Sequence, residues 1–173
     1  MSGYYERTPA VNTDGSPTFA TASDLSAQKA VARMLEDAWG PNVSISAFPR
    51  LHVIDFYAER DGRVSALLEL KCRSHESSAY PTVFLNMRKW IALLWHAGML
   101  GIAPLFVVRF TDCVMWCDVR EIDARQHIIG GTKTIVKSSS DIEPVIEVPV
   151  AQMKTVFLPS CQTTTENEAT DGR

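Results

Sequence analysis

The first regular pattern of hydrophobic and polar positions begins near Ser23. From there to about Trp39 apolar residues recur at helical spacing, and Ser23 or Asp24 can cap the first turn, so we predict a helix. A second helix is predicted from roughly Phe84 to Met99. Its inward-facing positions are expected to be Met87, Trp90, Ile91, Leu94 and Ala97. Trp95 is also expected in the core rather than on a base-stacking surface.

Strand patterns lie between and after these helices. Val43 to Phe48 is predicted as a short strand, and residues 51–73 (LHVIDFYAERDGRVSALLELKCR) as two strands joined by a tight turn. Ala103 to Phe110 is a nearly continuous apolar run, which is typical of a strand covered on both faces. Val114 to Val119 is its predicted hairpin partner. The whole pattern indicates an α/β protein with the element order αβββαββ.

The two strands of residues 51–73 carry charged residues in apolar surroundings. Asp55 lies on the first strand, and the second strand ends in Glu69-Leu70-Lys71. Because strand side chains alternate between faces, Glu69 and Lys71 share one face. An acid in the run Leu67-Leu68-Glu69-Leu70 is costly unless a partner compensates it, which favours a functional site. The alternative is a solvated hairpin whose charges fall this way by chance.

The register between the two strands decides whether both acids share a face. A two-residue turn at Asp61-Gly62 would pair Asp55 with Leu68 and place the acids on opposite faces. A three-residue loop, Arg60 to Gly62, would pair Asp55 with Leu67 and bring the acids onto one face. A β-bulge can also change the register. Since a shared site requires the acids on one face, we predict a register that places them there.

On one face, these three side chains suit metal-dependent phosphodiester hydrolysis. Two nearby carboxylates repel each other, and a divalent cation relieves that repulsion. Mg²⁺ prefers oxygen ligands and is usually held by one or two carboxylates plus substrate phosphate. The metal lowers the pKa of a bound water, and Lys71 could orient or deprotonate that water. We therefore predict an enzyme, a Mg²⁺- or Mn²⁺-dependent nuclease that hydrolyses phosphodiester bonds with a metal-activated water.

Further polar residues near this hairpin are candidates for the same site. Arg73 and His75 lie in the polar loop after the Glu-x-Lys strand, and Arg88 and Lys89 lie in the first turns of the second helix. All four are candidates for contact with DNA phosphates, although solvated positions explain them as well. Cations at a helix start oppose its dipole, which mildly disfavours a purely structural role. Glu36 could supply a third acid, but an ordinary surface position is the better explanation.

Length and composition limit the class of protein. The chain of 173 residues is 46% hydrophobic and 21% charged, which is ordinary for one soluble domain. We predict that domain at residues 23–158, between a flexible arm at 1–22 and a disordered tail at 159–173. No apolar run is long enough to span a membrane, and no signal segment is seen, so an intracellular, cytoplasmic location without a membrane partner is expected.

Charge and cysteine usage add two expectations. The formal net charge of −3 argues against DNA binding by bulk charge, so contact must come from a local basic patch, the metal or a second subunit. The apolar helices are compatible with a homodimer. The four cysteines contain no C-x-x-C pair, so free thiols and no zinc site are expected.

The element order and the Asp55, Glu69-x-Lys71 pattern resemble the PD-(D/E)XK nuclease superfamily over about residues 23–119. The resemblance implies a restriction-endonuclease-like core, a mixed β-sheet flanked by helices, and Mg²⁺-dependent cleavage of DNA. Two features depart from the pattern. Ile54 stands where the motif's name has proline, and the second helix lacks the Gln-x-x-x-Tyr of the exonuclease branch.

The resemblance also implies roles for individual residues. Asp55 and Glu69 would be the metal carboxylates, the Leu70 carbonyl a further metal ligand and Lys71 the catalytic lysine. Glu36 corresponds loosely to the acid that some members carry on the first helix. Lys89 is similar to a lysine near the second helix of small phage-encoded and resolvase-like members, whose substrates would include branched or phage DNA. The alternative is a nuclease-like fold that serves as a non-catalytic binding or virion-assembly module.

Overall fold

The computed structural model describes residues 10–11, 17–18, 22–49, 52–123, 128–129 and 144–156. The predicted tail at 159–173 and most of the predicted arm at 1–22 lie outside these ranges. The helices are α1 (Ala22–Trp39) and α2 (Met87–Leu100). The strands are β1 (Ala10–Val11), β2 (Pro17–Thr18), β3 (Val43–Ala47), β4 (Phe56–Arg60), β5 (Arg63–Cys72), β6 (Thr82–Asn86), β7 (Ala103–Arg109), β8 (Val114–Asp118), β9 (Ile128–Ile129), β10 (Val145–Pro149) and β11 (Lys154–Thr155).

A six-stranded mixed sheet forms the centre of the described structure. Its strand order is β11-β8-β7-β5-β4-β3, with β5 and β7 parallel and the other neighbours antiparallel. The parallel pair follows from the α2 crossover between β5 and β7, since parallel neighbours need a long connection. The strands β6, β10 and β9 form a separate antiparallel sheet, and β1 pairs with β2.

The helices α1 and α2 lie on opposite faces of the six-stranded sheet. Alternation along β5 sends Leu68 and Leu70 towards α1, whereas Leu67 points towards α2. The core on the α1 face includes Val31, Leu35, Phe56, Leu68, Leu70 and Val107. The core on the α2 face includes Leu67, Leu85, Leu93, Ala97, Phe106, Val108 and Ile146. The predicted burial of the β7 run on both faces is confirmed.

The turn between β4 and β5 is the two-residue alternative, not the three-residue loop. It has two residues, Asp61 and Gly62, both with positive φ (52° and 71°), and Arg60 pairs with Arg63. The register then shifts by one residue at a β-bulge, so that Phe56 pairs with Leu68. The predicted register, with both acids on one face, is therefore present without the three-residue loop. The bulge provides the one-residue shift. Extending the pairing of Phe56 with Leu68 by one residue sets Asp55 opposite Glu69.

An additional strand precedes α2. The predicted helix start near Phe84 is wrong, because Thr82–Asn86 forms β6 and the helix begins at Met87. The partner of β6 is β10, which lies some sixty residues later, and Val83 and Leu85 are buried where the two sheets meet. A pairing so distant in sequence leaves no local pattern. The observed order is thus αββββαββ where αβββαββ was expected.

The outward face of α2 also departs from expectation. Ile91 and Trp95 were expected in the core but are 52% and 68% exposed, and Met99 and Leu100 are 76% and 63% exposed. The residues that α2 buries fully are Leu93 and Ala97. Among the described residues, no helix combines the length and apolar character needed to cross a bilayer.

Candidate active site

The two acids predicted from sequence converge on the α2 face of the six-stranded sheet. Asp55 precedes β4, and its backbone carbonyl accepts a hydrogen bond from the Phe48 amide at 2.9 Å. Glu69 lies in β5. Lys89 from the first turn of α2 reaches both carboxylates, with Nζ 2.5 Å from Asp55 Oδ1 and 2.8 Å from Glu69 Oε2. The bulged hairpin and the helix start therefore bring these three side chains together.

Glu69 is a deeply buried carboxylate, with 4% of the residue exposed. Burial, followed by the neighbouring charge of Asp55, raises the pKa of Glu69 to about 8, although Lys89 and Lys71 oppose the shift. Its Oε2 atom is buried and, despite the 2.8 Å ion pair with Lys89, receives no well-aligned hydrogen bond. Further positive charge at this pair would therefore favour the carboxylate form of Glu69.

Lys71 lies two residues beyond Glu69 on the same face but is held by different partners. Its Nζ donates to Asn86 Oδ1 at 2.7 Å and to the Phe84 carbonyl at 3.2 Å. Burial lowers the pKa of Lys71 to about 8, against the opposing effect of Glu69. Its ammonium thus lies among neutral oxygen acceptors, beside the acid pair rather than within it.

Lys89 is the cation of the acid pair. Burial by itself would lower the pKa of Lys89, but the carboxylates of Glu69 and Asp55 outweigh it and the pKa is raised. The side chains of Lys89, Asp55 and Glu69 are 20%, 22% and 6% exposed, so solvent screens these contacts only weakly. Lys89 thus stays charged. It was predicted to contact DNA, and its position between the acids was not foreseen.

The oxygen atoms around the acid pair suit a hard divalent cation. Asp55 and Glu69 supply two carboxylates, and the buried Oε2 of Glu69 lacks a hydrogen bond that a cation would replace. The Leu70 carbonyl accepts a hydrogen bond from Gln28 Nε2 of α1 at 3.2 Å. Within the described ranges, no cluster of three or more His, Cys, Asp or Glu side chains is placed to hold a metal. Water and substrate oxygen atoms are suitable additional ligands for such a cation.

Glu36, the predicted third acid, is not brought to this pair. Its Oε1 accepts a hydrogen bond from the Ile45 amide of β3 at 2.6 Å, and it lines a shallow cavity with Lys29 and Arg33 of α1. The carboxylate therefore joins α1 to β3 at the sheet edge. Gln28 of α1 contacts β5 next to Glu69, because its Nε2 donates to the Leu70 carbonyl.

The other predicted DNA contacts lie at differing depths around the site. Arg73 is half-buried at the end of β5, and its Nη1 donates to the Cys72 carbonyl at 3.2 Å. In the part of the chain that the structure describes, no carboxylate pairs with it, and burial lowers the pKa of its guanidinium. His75 is half-buried and packs edge-on against Tyr80, whereas Arg88 is exposed.

Sequence reasoning missed Asn86 as part of the site. It precedes α2 and accepts the hydrogen bond from Lys71, but the expected helix start near Phe84 placed it inside a helix. The signal was present, because asparagine is preferred immediately before a helix and the Thr82–Leu85 segment is rich in strand-forming residues.

A mixed sheet between two helices, with an aspartate and a Glu-x-Lys strand meeting on one face, defines a restriction-endonuclease-like domain of the PD-(D/E)XK type. The chain belongs to the family described as "Phage putative PDDEXK endonuclease", whose model matches residues 15–156. The resemblance to this superfamily, its fold class and the assignment to a nuclease family are thereby confirmed. The protein is thus an α/β member of a family of endonucleases.

A search of curated protein sequences returned no match. Among solved structures, the Holliday junction resolvase Hjc from the archaeal hyperthermophile Archaeoglobus fulgidus is similar, with a TM-score of 0.44 and 14% sequence identity. The alignment covers 72% of this chain and 89% of that chain.

Proposed function

We propose that this protein is a divalent-metal-dependent DNA endonuclease. The observation that carries the proposal is the convergence of Asp55 and the buried Glu69, with Lys71 beside them on the same face. Membership in a family of phage endonucleases supports this chemistry and an action inside the infected cell. Mg²⁺ is the proposed cofactor, with Mn²⁺ as its substitute.

Asp55 and Glu69 would hold the cation. A bound Mg²⁺ would polarise the phosphodiester and acidify a water, which makes hydrolysis accessible at neutral pH. The Leu70 carbonyl is a proposed third ligand and would have to exchange its Gln28 hydrogen bond for the metal. Lys89 neutralises the acid pair until the cation binds, and its ammonium must then move away from between the carboxylates.

Lys71 is the proposed catalytic lysine. Its pKa is lowered to about 8 because burial disfavours the ammonium, so near neutral pH it can both give and take a proton. From its position next to Glu69 it can orient the attacking water or stabilise the charge that builds on the phosphate. A lysine with its ordinary pKa of about 10.5 would serve as a charge but poorly as a base.

The cations around the site would position the DNA backbone. Arg73 has no carboxylate partner among the described residues and is half-buried two residues beyond Lys71, so a phosphate would complete its hydrogen bonding. Once displaced from the acids, Lys89 could contact a phosphate as well. Arg88 and His75 remain proposed contacts at the helix start and in the loop after β5.

Cleavage assays on supercoiled plasmid and on a branched DNA junction test this proposal in Mg²⁺ and in Mn²⁺. We expect Lys71→Ala to lower the single-turnover rate by about 10²–10⁴-fold, the usual contribution of a general acid or base. Lys29→Ala is the control, because Lys29 is an exposed lysine of α1. Asp55→Asn and Glu69→Gln should lose divalent-metal binding in calorimetry as well as cleavage. Undiminished cleavage by Lys71→Ala would refute the assignment.

A second candidate function is a non-catalytic binding or virion-assembly module. The specific observation in its favour is Lys89, which already provides the acid pair with a cation. Under this alternative the wild-type protein would neither cleave DNA nor bind Mg²⁺ or Mn²⁺ in calorimetry. Metal binding that depends on Glu69 would exclude it.

A second copy of the chain is the proposed protein partner. The exposed α2 stripe of Ile91, Trp95, Met99 and Leu100 supports this, since soluble monomers rarely expose several large apolar side chains side by side. Two copies would bring two candidate sites to one DNA molecule, which suits the cutting of both strands. The stripe lies on the helix that also carries Lys89 to the acid pair.

A further inference from the structure

The ammonium of Lys71 is held by two neutral oxygen atoms from the segment that leads into α2. Asn86 Oδ1 accepts its hydrogen bond at 2.7 Å and the Phe84 carbonyl accepts another at 3.2 Å. A lysine side chain is a flexible four-carbon stem, so its charged end has a fixed position only where hydrogen bonds define one. These two contacts therefore define where the Lys71 ammonium lies.

Asn86 occupies the N-cap position of α2 but does not cap the helix. Its backbone is extended (φ −62°, ψ 134°), as an N-cap requires, yet its side chain makes no capping hydrogen bond. Asparagine is favoured at this position because its side-chain oxygen normally accepts from the first turn of the helix. Here that oxygen accepts from Lys71 instead. The residue thus gives up a stabilising local contact for one with the candidate active site.

The backbone around Asn86 is held by the sheet of β6, β10 and β9, here called the small sheet. Asn86 pairs with Val145 in the β6–β10 ladder, and the amide of Met87, the first residue of α2, donates to the Pro144 carbonyl at 2.9 Å. Backbone from β10 therefore satisfies a donor of the helix start. This pairing holds the backbone from which the Asn86 side chain reaches Lys71.

Without these acceptors Lys71 would turn to the acids. Glu69 is its neighbour on the same face of β5 and attracts it electrostatically, but the described acids form their close ion pairs with Lys89 rather than with Lys71. If the Lys71 ammonium moved onto Glu69, it would occupy the carboxylate needed for the cation. The side-chain oxygen of Asn86 prevents this and keeps the lysine beside the pair.

We propose that Asn86 is the positioning residue of Lys71, and that β10 fixes Asn86 through its pairing with β6. This inference rests on the proposed function for the role of Lys71 in cleavage. The small sheet thereby contributes to the candidate active site. The acids come from β5 and the loop before β4, whereas the oxygen atoms that hold the Lys71 ammonium come from β6, just before α2.

Two substitutions at one position separate positioning from capping. Asn86→Ser keeps a residue that caps helices well, but its hydroxyl is too short to reach Lys71. Asn86→Asp keeps both the capping ability and an oxygen at the same distance from the backbone. We expect Asn86→Ser to lower the single-turnover cleavage rate by about 10–100-fold, the scale of a displacement near 1 Å. Asn86→Asp keeps an acceptor for Lys71 and should lose less of the rate, although its added carboxylate raises the pKa of Lys71. Mg²⁺ affinity in calorimetry should fall several-fold in Asn86→Ser, because the displaced ammonium competes with the cation for Glu69, and should not fall in Asn86→Asp.

A readout independent of cleavage follows Lys71 directly. Metal-free protein is treated with limiting acetic anhydride, and acetylation of Lys71 is measured by mass spectrometry relative to that of the exposed Lys29. We expect several-fold slower labelling of Lys71 in Asn86→Ser, because an ammonium paired with Glu69 is less often the reactive free amine. The added carboxylate of Asn86→Asp should slow the labelling as well. This result would establish the positioning even if the wild-type protein proved inactive on DNA, which would overturn the proposed function alone. Unchanged labelling in Asn86→Ser, or an equal loss of rate in both variants, would overturn the proposal.

Discussion

At the scale of single residues, Lys89 stabilises two carboxylates that otherwise repel each other. Replacing it as Lys89→Met should destabilise the metal-free protein by about 1–3 kcal/mol, somewhat less than a fully buried ion pair because Lys89 and Asp55 remain about one-fifth exposed. Divalent metal should restore most of that loss, because the cation replaces the missing ammonium. Urea unfolding in EDTA and in Mg²⁺ measures both effects.

The matched control for this prediction is Lys29→Met, which removes an exposed lysine of α1. Its unfolding free energy should stay within about 0.5 kcal/mol of the wild-type value, with or without metal. A loss in Lys89→Met that Mg²⁺ leaves undiminished would show that Lys89 packs the helix start rather than balancing the acids.

The residues of the site were predictable to the extent that strand alternation determines them. Glu69 and Lys71 share a face because they are two residues apart in one strand, and the sequence displays that spacing directly. Lys89 was identified as a cation near the helix start, but its reach to both acids depends on how α2 packs against the sheet. Asn86 and Glu36 depended on packing as well, and for neither did the sequence predict the observed partner.

At the scale of elements, the β4–β5 hairpin shows why the register could not be counted from the turn. The Asp61-Gly62 sequence suits a two-residue turn as well as a three-residue loop, and the observed two-residue turn by itself would have set the acids on opposite faces. The bulge next to Ala58 adds one residue to β5 and thereby brings the two acids onto the same face of the sheet. Ser65, which donates to the Ala58 carbonyl at 3.3 Å, carries no distinctive bulge signature. The shared face followed from the chemistry that was expected, not from the pattern.

The loop between β5 and β6, which carries Arg73 and His75, is tied to the β7–β8 turn by Asp112. The Asp112 carboxylate accepts hydrogen bonds from the Ser77 amide at 2.8 Å and the Ser77 hydroxyl at 2.7 Å. We expect Asp112→Ala to free this loop and weaken DNA binding several-fold, because the proposed phosphate contacts lose their fixed position. Fluorescence anisotropy with labelled duplex in Ca²⁺ measures the effect, and Mg²⁺ affinity should not change.

Asp37→Ala is the control for charge, since it removes one negative charge from an exposed position of α1. Fewer negative charges favour DNA binding, so Asp37→Ala should bind as well as or better than the wild type.

The hydrogen bonds from Ser77 lower the pKa of Asp112 below its usual 3.8. A lowered carboxyl pKa means that the tether is complete above the ordinary value and is lost only as the pH falls through the lowered one. DNA binding that declined between pH 7 and pH 5 through loss of this tether would contradict the assignment.

At the scale of the whole molecule, the candidate site depends on two sheets rather than one. The six-stranded sheet supplies both acids and Lys71, and the sheet of β6, β10 and β9 supplies the oxygen atoms that hold the lysine. The two sheets meet in one core, where Leu85 and Ile146 are fully buried. Sequence patterns predicted the first sheet because its strands are mostly consecutive. The second sheet was missed because Thr82–Asn86 was assigned partly to the start of the second helix, and because its partner strand β10 comes from a distant part of the chain.

The exposed stripe on α2 predicts the assembly of the molecule. If two copies pair through it, the wild-type protein should sediment at twice the mass of the 19.2 kDa chain at micromolar concentrations. Trp95→Glu places a charge in the middle of the stripe, where it would be buried without a partner, so this variant should sediment as a monomer. Its unfolding free energy should remain within about 0.5 kcal/mol of wild type, because Trp95 is 68% exposed in the single chain.

Val64→Glu is the control, since Val64 is an exposed apolar residue of β5 rather than α2, and it should leave the dimer intact. A wild-type protein that sediments as a monomer, or a Trp95→Glu variant that remains a dimer, would exclude this stripe as the interface.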